Sequence, residues 1–256
     1  MKIATWNVNG IRARKDEVGA FLDQERPDVL CLQELKALAA EVPEVLAQHA
    51  DYWSYWHGTK GYSGVSLHVR KEYAPDAPRF MHPEFDHQTR IVVAMFNGWS
   101  VASVYVPNGG KDFAAKIRFL HELTAFVADA AAVNRPVVLC GDLNVARTEA
   151  DVHPSLRDPR AVGQRPEERA LFEQLLRSGG LGDIGRDLDP TNDQLFTWWA
   201  PWRNLRQRNI GWRLDYVLAT KHLSRRAVRA VSRREFGTSD HAPVIVEFDL
   251  AAPAES

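Results

Sequence analysis

Residues with catalytic or ligand chemistry lie where the apolar, strand-like segments of this chain end or begin. The six places carry Asn7, Glu34, Tyr105, Asp142 with Asn144, Asp215, and Asp240 with His241. A lone Glu after a strand is ordinarily a solvated loop carboxylate, and a lone Asp-His pair is ordinarily a turn or a cap. Six such positions beside apolar β segments favour a single site, because strand ends at one edge of a layered protein converge.

These residue types suit metal-assisted hydrolysis of a phosphodiester. A hard divalent cation takes oxygen ligands from one or two carboxylates and keeps several waters. The sequence has neither a close cysteine pair nor an HExxH helix, so Mg²⁺ or Mn²⁺ is favoured over zinc. The reaction needs an oriented, deprotonated water and stabilisation of the charge on phosphorus and the leaving alkoxide. An Asp that orients a His fixes the imidazole tautomer and stabilises its charged form.

The elements that must position these residues follow from hydrophobic periodicity. Strands are predicted at residues 2–6, 28–33, 64–69, 90–96, 100–106, 136–140, 212–218, 227–231 and 244–248. Helices are predicted at residues 15–24, 113–132 and 167–176, the last preceded by Pro166, which suits a first helical turn. Strands outnumber helices and many neighbours are joined by short turns. This pattern indicates two packed sheets covered by helices rather than an alternating βαβ fold.

Length and composition are typical of a folded globular protein. The chain has 256 residues, of which 45% are hydrophobic and 25% charged, enough for a sizeable core in one large domain or two small ones. It has no run of about 18 apolar residues, so no transmembrane helix is expected, and its N-terminus shows no signal-peptide pattern. Cys31 and Cys140 lie in apolar strand-like segments and are interpreted as buried free thiols rather than a disulfide. The sequence therefore predicts a cytoplasmic protein without a membrane partner.

The charge of the chain is balanced overall but uneven along it. The formal net charge is −1, which argues mildly against nucleic acid, since typical DNA-binding proteins are basic. Between Arg203 and Arg234, however, ten basic residues accompany a single acidic one, Asp215. Such a stretch predicts either a basic face that binds phosphates or an ordinary solvated surface.

Several longer motifs occur in one order along the chain. They are Thr5-Trp6-Asn7-Val8-Asn9-Gly10, Leu32-Gln33-Glu34, Gly61-Tyr62-Ser63-Gly64-Val65, Tyr105-Val106-Pro107-Asn108, Gly141-Asp142-Leu143-Asn144, Gly211-Trp212-Arg213-Leu214-Asp215-Tyr216 and Ser239-Asp240-His241. In these motifs the chain resembles the exonuclease III and AP endonuclease family, within the endonuclease/exonuclease/phosphatase superfamily. The resemblance covers nearly the whole chain, from Lys2 to Phe248. Ser-Asp-His is shared across the superfamily, whereas Gly-Trp-Arg-Leu-Asp-Tyr and Tyr-Val-Pro-Asn are more specific to its DNA-repair branch.

The resemblance implies a fold and a set of catalytic roles. The fold is a four-layer α/β sandwich of two mixed sheets face to face with helices outside, formed by one catalytic domain at residues 1–250 and followed by a tail at 251–256. Glu34 is then the main metal ligand, with Asn7 and Asp240 beside it. Asp142 orients or deprotonates the attacking water, and Asn144 holds the phosphate or that Asp. His241, paired with Asp215, contacts the scissile phosphate, and Tyr105 donates to the phosphate or assists the leaving group.

The resemblance also implies how substrate is held. Asn108 and Arg90 match positions that contact phosphate. Trp198, Trp212 and Leu214 match positions that line a pocket for a flipped-out abasic sugar, which an apolar slot accepts while it excludes a normal nucleotide. The alternative for these aromatic residues is a place in the core. Lys111 and Trp202 fall in loops that correspond to DNA-inserting loops, where a Trp can wedge between stacked bases.

Three functions are weighed on this basis. The favoured one is an Mg²⁺-dependent AP endonuclease with 3′-phosphodiesterase and 3′→5′ exonuclease activity, a monomer acting on double-stranded DNA with abasic sites or blocked 3′ ends, with Mn²⁺ as the alternative metal. A non-catalytic nucleic-acid-binding protein on the same fold is disfavoured because the catalytic residues are intact. A member of the same superfamily that acts on phospholipid or inositol phosphates is the third function. The Gly-Trp-Arg-Leu-Asp-Tyr motif, the basic stretch and the aromatic residues of the predicted pocket disfavour it.

Overall fold

The computed structural model describes residues 1–251. Its strands are β1 Lys2–Asn7, β2 Val29–Gln33, β3 Tyr52–Thr59, β4 Tyr62–Arg70, β5 Arg79–Met81, β6 Ile91–Phe96, β7 Trp99–Tyr105, β8 Val137–Asp142, β9 Leu181–Asp183, β10 Asp215–Thr220, β11 Ala227–Ser232 and β12 Val244–Phe248. Its α-helices are α1 Lys15–Glu25, α2 Glu44–Ala47, α3 Phe113–Ala132, α4 Pro166–Gly179, α5 Ile184–Leu188 and α6 Lys221–Ser224. Residues 252–256 of the predicted tail lie outside the described residues.

The strands form two six-stranded mixed sheets. Sheet A has the order β11-β12-β1-β2-β4-β3, and sheet B has the order β5-β6-β7-β8-β10-β9. In sheet A, β1 pairs parallel with β2 and antiparallel with β12. In sheet B, β7 pairs parallel with β8, and β8 pairs antiparallel with β10. The two sheets therefore share a local arrangement in which a parallel pair is flanked by antiparallel neighbours.

Three apolar layers alternate with the sheets. The middle layer lies between the sheets and takes alternate residues of the central strands, such as Ile3 and Cys31 from sheet A and Cys140 and Val217 from sheet B. The opposite face of sheet A packs on α1, and the opposite face of sheet B packs on α3 and α4. Because side chains alternate between faces along a strand, each central strand contributes to two layers. The predicted four-layer sandwich of two face-to-face mixed sheets with outer helices is confirmed.

The predicted elements are confirmed at most positions, with three kinds of correction. The sequence does not predict strands β3, β5 and β9. In β3 this is because its residues are aromatic and polar and mostly half-buried, and they do not form an apolar run. The strand predicted at residues 212–218 begins only at Asp215, because Trp212 bends away into isolated bridges with Val152 and Trp198. The short helices α2, α5 and α6 were also missed, since four or five residues show no periodicity.

The two cysteines and the longest helices agree with the expectations from composition. Cys31 and Cys140 are free and buried in the middle layer. Burial, with a hydrogen bond between the two side chains, raises the pKa of the Cys140 thiol well above its usual range. Within residues 1–251, no helix combines the length and the apolar character needed to cross a bilayer.

Candidate active site

The polar residues predicted at strand ends share the face of their strands that looks toward the opposite sheet. In β1 the side chains on this face are Ile3, Thr5 and Asn7, and in β8 they are Val138, Cys140 and Asp142. The middle layer is therefore apolar along most of its length and becomes polar at one edge. Asp142 pairs in register with Asp215, so the amino end of β10 reaches the same edge as the carboxyl end of β8.

A cleft of about 440 Å³ opens at this edge. Its lining contains most of the predicted site residues, namely Glu34, Tyr105, Asn108, Asp142, Asn144, Trp198, Trp212, Leu214, Asp240 and His241, together with Val162. Asn7 and Asp215 are fully buried beside it, with hydrogen bonds to Asp142 and His241. The structure thus brings the catalytic and metal-binding candidates of the sequence together in one place.

Asp142 is held by amide donors. The Asn7 side chain donates to its Oδ2 at 3.0 Å, and Asn144 donates to both oxygens, from its backbone N–H at 2.9 Å and from its side chain at 3.2 Å. Burial raises the pKa of Asp142 and the neighbouring Asp215 charge adds to this, although His241 and the amide donors oppose it. A carboxylate whose pKa is raised in this way is suited to accept a proton from water.

His241 lies between two carboxylates. Its Nδ1 donates to Asp215 Oδ2 at 2.8 Å, and its Nε2 lies 3.8 Å from Asp142 Oδ2. Burial disfavours the charged imidazole, but the two carboxylates outweigh burial and raise the pKa of His241. The Asp215 backbone N–H in turn donates to Thr197 Oγ1 at 3.0 Å. The ring is therefore fixed in orientation and held as a cationic donor facing the cleft.

Tyr105 is a second proton-bearing group in the cleft. Burial, together with the charges of Glu34 and Asp142, raises the pKa of Tyr105 above its ordinary value. The phenol therefore stays protonated and can donate a hydrogen bond to an anionic oxygen. Either of the roles considered for Tyr105, contact with phosphate or help to the leaving group, uses such a donor.

Oxygen donors suited to a hard cation meet around Glu34. Glu34 has a left-handed backbone (φ 57°), which is uncommon for non-glycine residues. The Lys36 ammonium lies 2.8 Å from Glu34 Oε1 and 2.6 Å from Asn9 Oδ1, so these oxygens already attract one cation. Asp240 accepts from Asn9 and Trp198 at 2.8 and 3.0 Å. Burial opposes its ionisation, but His241 and these hydrogen bonds lower the pKa of Asp240.

A metal ion fits this donor set. Carboxylate and amide oxygens are the ligands that hard divalent cations prefer. Asp142, Asp215 and His241 also bring ligand atoms within 4.8 Å of one another, a spacing that can hold a metal ion. Because two carboxylates raise the pKa of buried His241 and keep it cationic, without a lone pair for a metal, we assign these three side chains to proton handling. The assignment of Glu34, Asn7 and Asp240 as ligands stays a prediction.

Trp198, Trp212 and Leu214 form an apolar wall of the cleft. The two indoles meet edge to face, with centroids 5.7 Å apart, and the centroids of the Trp198 and His241 rings lie 6.5 Å apart. Trp212 is half-buried and backed by Gly163, where an added Cβ would lie 2.9 Å from the Trp212 ring. These indoles are therefore partly accessible in the cleft rather than enclosed in the core, which is the position expected of a sugar pocket.

The remaining predicted substrate contacts are distributed around the cleft. Asn108 lines it and donates to Asn144 Oδ1 at 3.2 Å. Arg90 is buried, with its guanidinium 5.0 Å from the centre of the Tyr105 ring, and lines a neighbouring cavity instead. Lys111 and Trp202 lie outside the cleft lining in exposed loops, and Trp202 is 60% exposed. The structure therefore does not join these last two residues to the catalytic group.

Several basic residues of the 203–234 stretch serve the protein interior. Buried Arg213 forms ion pairs with Asp151 and Asp183. Arg206 donates to the backbone carbonyls of Arg234, Phe236 and Ser239. Arg229, Arg233 and Arg234 pair with Glu247, Glu25 and Glu235. The stretch is therefore not a uniform basic face, because much of its charge is neutralised locally, and exposed Arg203 and Arg208 lie in the loop of Trp202.

Two residues that support the site were missed from the sequence. Lys116 of α3 is completely buried, forms an ion pair with buried Glu168, and donates to the Asn144 carbonyl at 2.6 Å. Its signal was available, since Lys116 is four residues before Leu120 on the apolar face of the predicted helix. Thr197, which accepts from the backbone N–H groups of Leu214 and Asp215, had no such signal, because a Thr in a loop is ordinary.

Comparison with known proteins identifies the class. The sequence profile of the Endonuclease/Exonuclease/phosphatase family matches residues 4–241, and the chain belongs to this family. Over 95% of the chain, it is 34% identical to DNA repair nuclease APEX1 of Danio rerio, covering 81% of that protein. It is 32% identical to Exodeoxyribonuclease of Bacillus subtilis, with 95% of the chain and 98% of that protein covered. The chain spans only 37% of Recombination repair protein 1 of Drosophila melanogaster, at 33% identity over 98% of its own length.

Solved structures lead to the same group. The fold matches a 3′ phosphatase from Neisseria bound to a product DNA hairpin, with a TM-score of 0.87, 32% identity, and 97% and 99% of the two chains covered. It also matches an AP endonuclease from Archaeoglobus fulgidus, with a TM-score of 0.87, 29% identity, and 98% and 100% covered. Within its family the chain is a hydrolase of the exonuclease III and AP endonuclease type.

Proposed function

We propose that this protein is an Mg²⁺-dependent DNA-repair phosphodiesterase that cuts the backbone 5′ to abasic sites, with 3′-phosphodiesterase and 3′→5′ exonuclease activity. The observation that carries the proposal is that the apolar wall adjoins the catalytic group, since the ring centroids of Trp198 and His241 lie 6.5 Å apart. A wall of two indoles and Leu214 accepts a sugar that has no base, and it does so beside groups that handle protons. The relatives named as DNA repair nuclease and AP endonuclease support this substrate class.

The mechanism divides proton handling from charge stabilisation. Asp142 orients and deprotonates the attacking water, because its pKa is raised and its oxygens are fixed by amide donors. Cationic His241, held by Asp215, donates to a non-bridging phosphate oxygen and stabilises the negative charge that develops there. Tyr105 remains protonated and donates to the phosphate or to the leaving oxygen.

The metal would be held by Glu34, Asn7 and Asp240. A bound Mg²⁺ supplies Lewis acidity to phosphate oxygens and charge neutralisation of the substrate. The support for Mg²⁺ is the donor chemistry, which is oxygen-rich around Glu34 and matches the preference of a hard cation. Mn²⁺ is the expected substitute, since it accepts similar oxygen ligands.

Cleavage of a labelled duplex with one abasic-site analogue tests the proposal, beside an undamaged duplex with a recessed 3′ end. A single nick 5′ to the lesion that requires Mg²⁺ and disappears in EDTA supports it. Asp142→Asn is the matched variant, expected to lose on the order of 10²-fold or more in rate while it still binds the abasic duplex. Wild-type cleavage by that variant, or no cleavage of either duplex by the native protein, contradicts the proposal.

Two further assignments belong to the same proposal. We propose that the enzyme acts as a monomer, which light scattering coupled to size exclusion measures directly. We also propose a cytoplasmic location, supported by the buried free thiols of Cys31 and Cys140. Fractionation of the source cells tests that location.

A further inference from the structure

A second cluster of side chains that could hold a metal ion lies at the edge of the sandwich where the outermost strands of the two sheets meet. β3 is the outer strand of sheet A and β5 is the outer strand of sheet B. Tyr55 of β3 stacks on Phe80 of β5, with centroids 5.3 Å apart. Two residues later in the sequence of each segment, the His57 ring stacks on the His82 ring. Their centroids lie 4.4 Å apart and their planes are inclined by 8°. The His57 imidazole therefore comes from sheet A, and the His82 imidazole comes from the residue that directly follows β5 of sheet B.

Asp86 completes the cluster from the segment that joins β5 to β6. Its side chain is fully buried, and its Oδ2 lies 2.5 Å from His57 Nε2. Its other oxygen, Oδ1, accepts the backbone N–H of Arg90 at 2.7 Å, which fixes the orientation of the carboxylate. Such an outer partner for a ligating carboxylate is typical of metal sites. His82 is exposed, so the cluster is open to ions from solvent.

We propose that His57, His82 and Asp86 form a binding site for a first-row transition metal ion such as Zn²⁺, which fastens the two sheets together at this edge. Their ligand atoms lie within 4.8 Å of one another. Zinc distances of about 2.0–2.2 Å place tetrahedral ligands roughly 3.3 Å apart. Metal binding therefore replaces the hydrogen bond between His57 and Asp86, moves their ligand atoms apart from 2.5 Å, and turns the exposed His82 ring out of the stack so that one of its nitrogens faces the ion. Two imidazoles and one carboxylate suit Zn²⁺ rather than Mg²⁺, and water fills the remaining position.

The site has a structural consequence for the cleft. Asp86 anchors the backbone of Arg90, and the Arg90 guanidinium donates to the Tyr105 carbonyl and lies over the Tyr105 ring. A metal ion on Asp86 therefore restrains the segment that carries a predicted phosphate contact, without touching the reacting groups. The alternative is a plain His57–Asp86 ion pair with His82 stacked on it, and this alternative needs no metal. The inference does not depend on the proposed nuclease activity.

Metal titration of the full-length protein separates these alternatives. The chelator-treated protein is titrated with Zn²⁺ against a chromophoric chelator, and with Co²⁺ followed by visible absorption, both in excess Mg²⁺ to occupy the oxygen-rich cleft. His82→Ala removes one exposed ligand and leaves the contact between half-buried His57 and Asp86 intact. His121→Ala removes an exposed histidine of α3 outside the cluster and is the matched control. Circular dichroism establishes that both variants are folded.

The expected result is one Zn²⁺ equivalent that His121→Ala retains and that His82→Ala binds at least tenfold more weakly. Zn²⁺ should also raise the melting temperature of the wild-type protein and of His121→Ala, but not of His82→Ala, because a ligand that binds only the folded state stabilises it. Absence of this equivalent in the wild-type protein overturns the proposal. Identical Zn²⁺ affinity in wild type and His82→Ala also overturns it.

Discussion

The Asp215 carboxylate accepts a hydrogen bond from His241, with 2.8 Å between Oδ2 and Nδ1, although 26 residues separate the two along the chain. Both side chains are buried, and Asp142 lies on the other side of the imidazole with its Oδ2 3.8 Å from Nε2. The imidazole is thus flanked by two carboxylates that keep it charged. The role proposed for it, as a donor to phosphate, depends on that charge.

Asp215→Asn should reduce turnover on abasic duplex on the order of 10²-fold or more, because the amide neither holds the tautomer nor stabilises the imidazolium. Steady-state kinetics in saturating Mg²⁺ measure this, and Asp76→Asn, which changes an exposed carboxylate, is the control. Unchanged turnover in Asp215→Asn would mean that His241 does not act as a charged donor.

Trp212→Ala should lower the ratio of abasic nicking to 3′ exonuclease rate by about tenfold or more, since loss of apolar pocket contacts costs on the order of 1–3 kcal/mol in discrimination. Trp212→Phe, which keeps an aromatic face against Trp198, should retain most of the ratio. Both rates are measured on the same preparation. An equal fall in the two activities would count against a sugar pocket at this wall.

Lys116→Met should destabilise the fold by about 3–5 kcal/mol, because it leaves the Glu168 carboxylate buried without its cation. The double variant Lys116→Met/Glu168→Leu should cost less than the sum of the two single changes. Urea unfolding of all four proteins completes the cycle, with exposed Lys111→Met expected within about 0.5 kcal/mol of wild type. Additive effects would show that the buried pair is not coupled.

His68 should make the protein less stable as the pH falls below neutral. Burial, with a smaller effect from the charge of His49, lowers the pKa of His68 to about 3 in the folded protein, whereas an unfolded His has a pKa of about 6.5. Between these values the unfolded chain binds one more proton, so the free energy of unfolding falls by about 1.4 kcal/mol per pH unit from this group. The full contribution of neutral His68 is present above pH 6.5.

His68→Gln tests this dependence, because Gln does not titrate and can still hydrogen-bond to Ser54 and Ser66. Urea unfolding at pH 4.5, 5.5 and 6.5, values chosen to fall roughly within the window between the two pKa values, should give a shallower slope of stability against pH than in the wild-type protein. His121→Gln, at an exposed position, should keep the wild-type slope. A wild-type slope in His68→Gln would contradict a neutral, buried His68.

Local pattern determined the candidate site residues and most of the central strands. Alternation of period two places Ile3, Thr5 and Asn7 on one face of β1, so a polar residue at the end of this face signals a polar edge. Motifs such as Gly-Trp-Arg-Leu-Asp-Tyr then identified the family. Both signals lie within a few consecutive residues. For the alternating residues of a strand, backbone geometry alone gives the face toward which each side chain points.

Tertiary structure decided which of these residues touch. The hydrogen bond from Asn7 to Asp142 joins positions 135 residues apart. The pKa of Tyr105 is raised by burial and then by the charges of Glu34 and Asp142, which come from other parts of the chain. The stacking of His57 on His82 depends on the packing of two sheet edges against each other. One of these edges is β3, which has no apolar run by which it could be predicted. Lys116 and Arg213 are likewise buried in ion pairs whose partners, Glu168 and Asp183, come from other elements. The burial and the charge state of a side chain depend on the residues packed around it. The periodicity of one strand or helix shows only which of its faces points into the core.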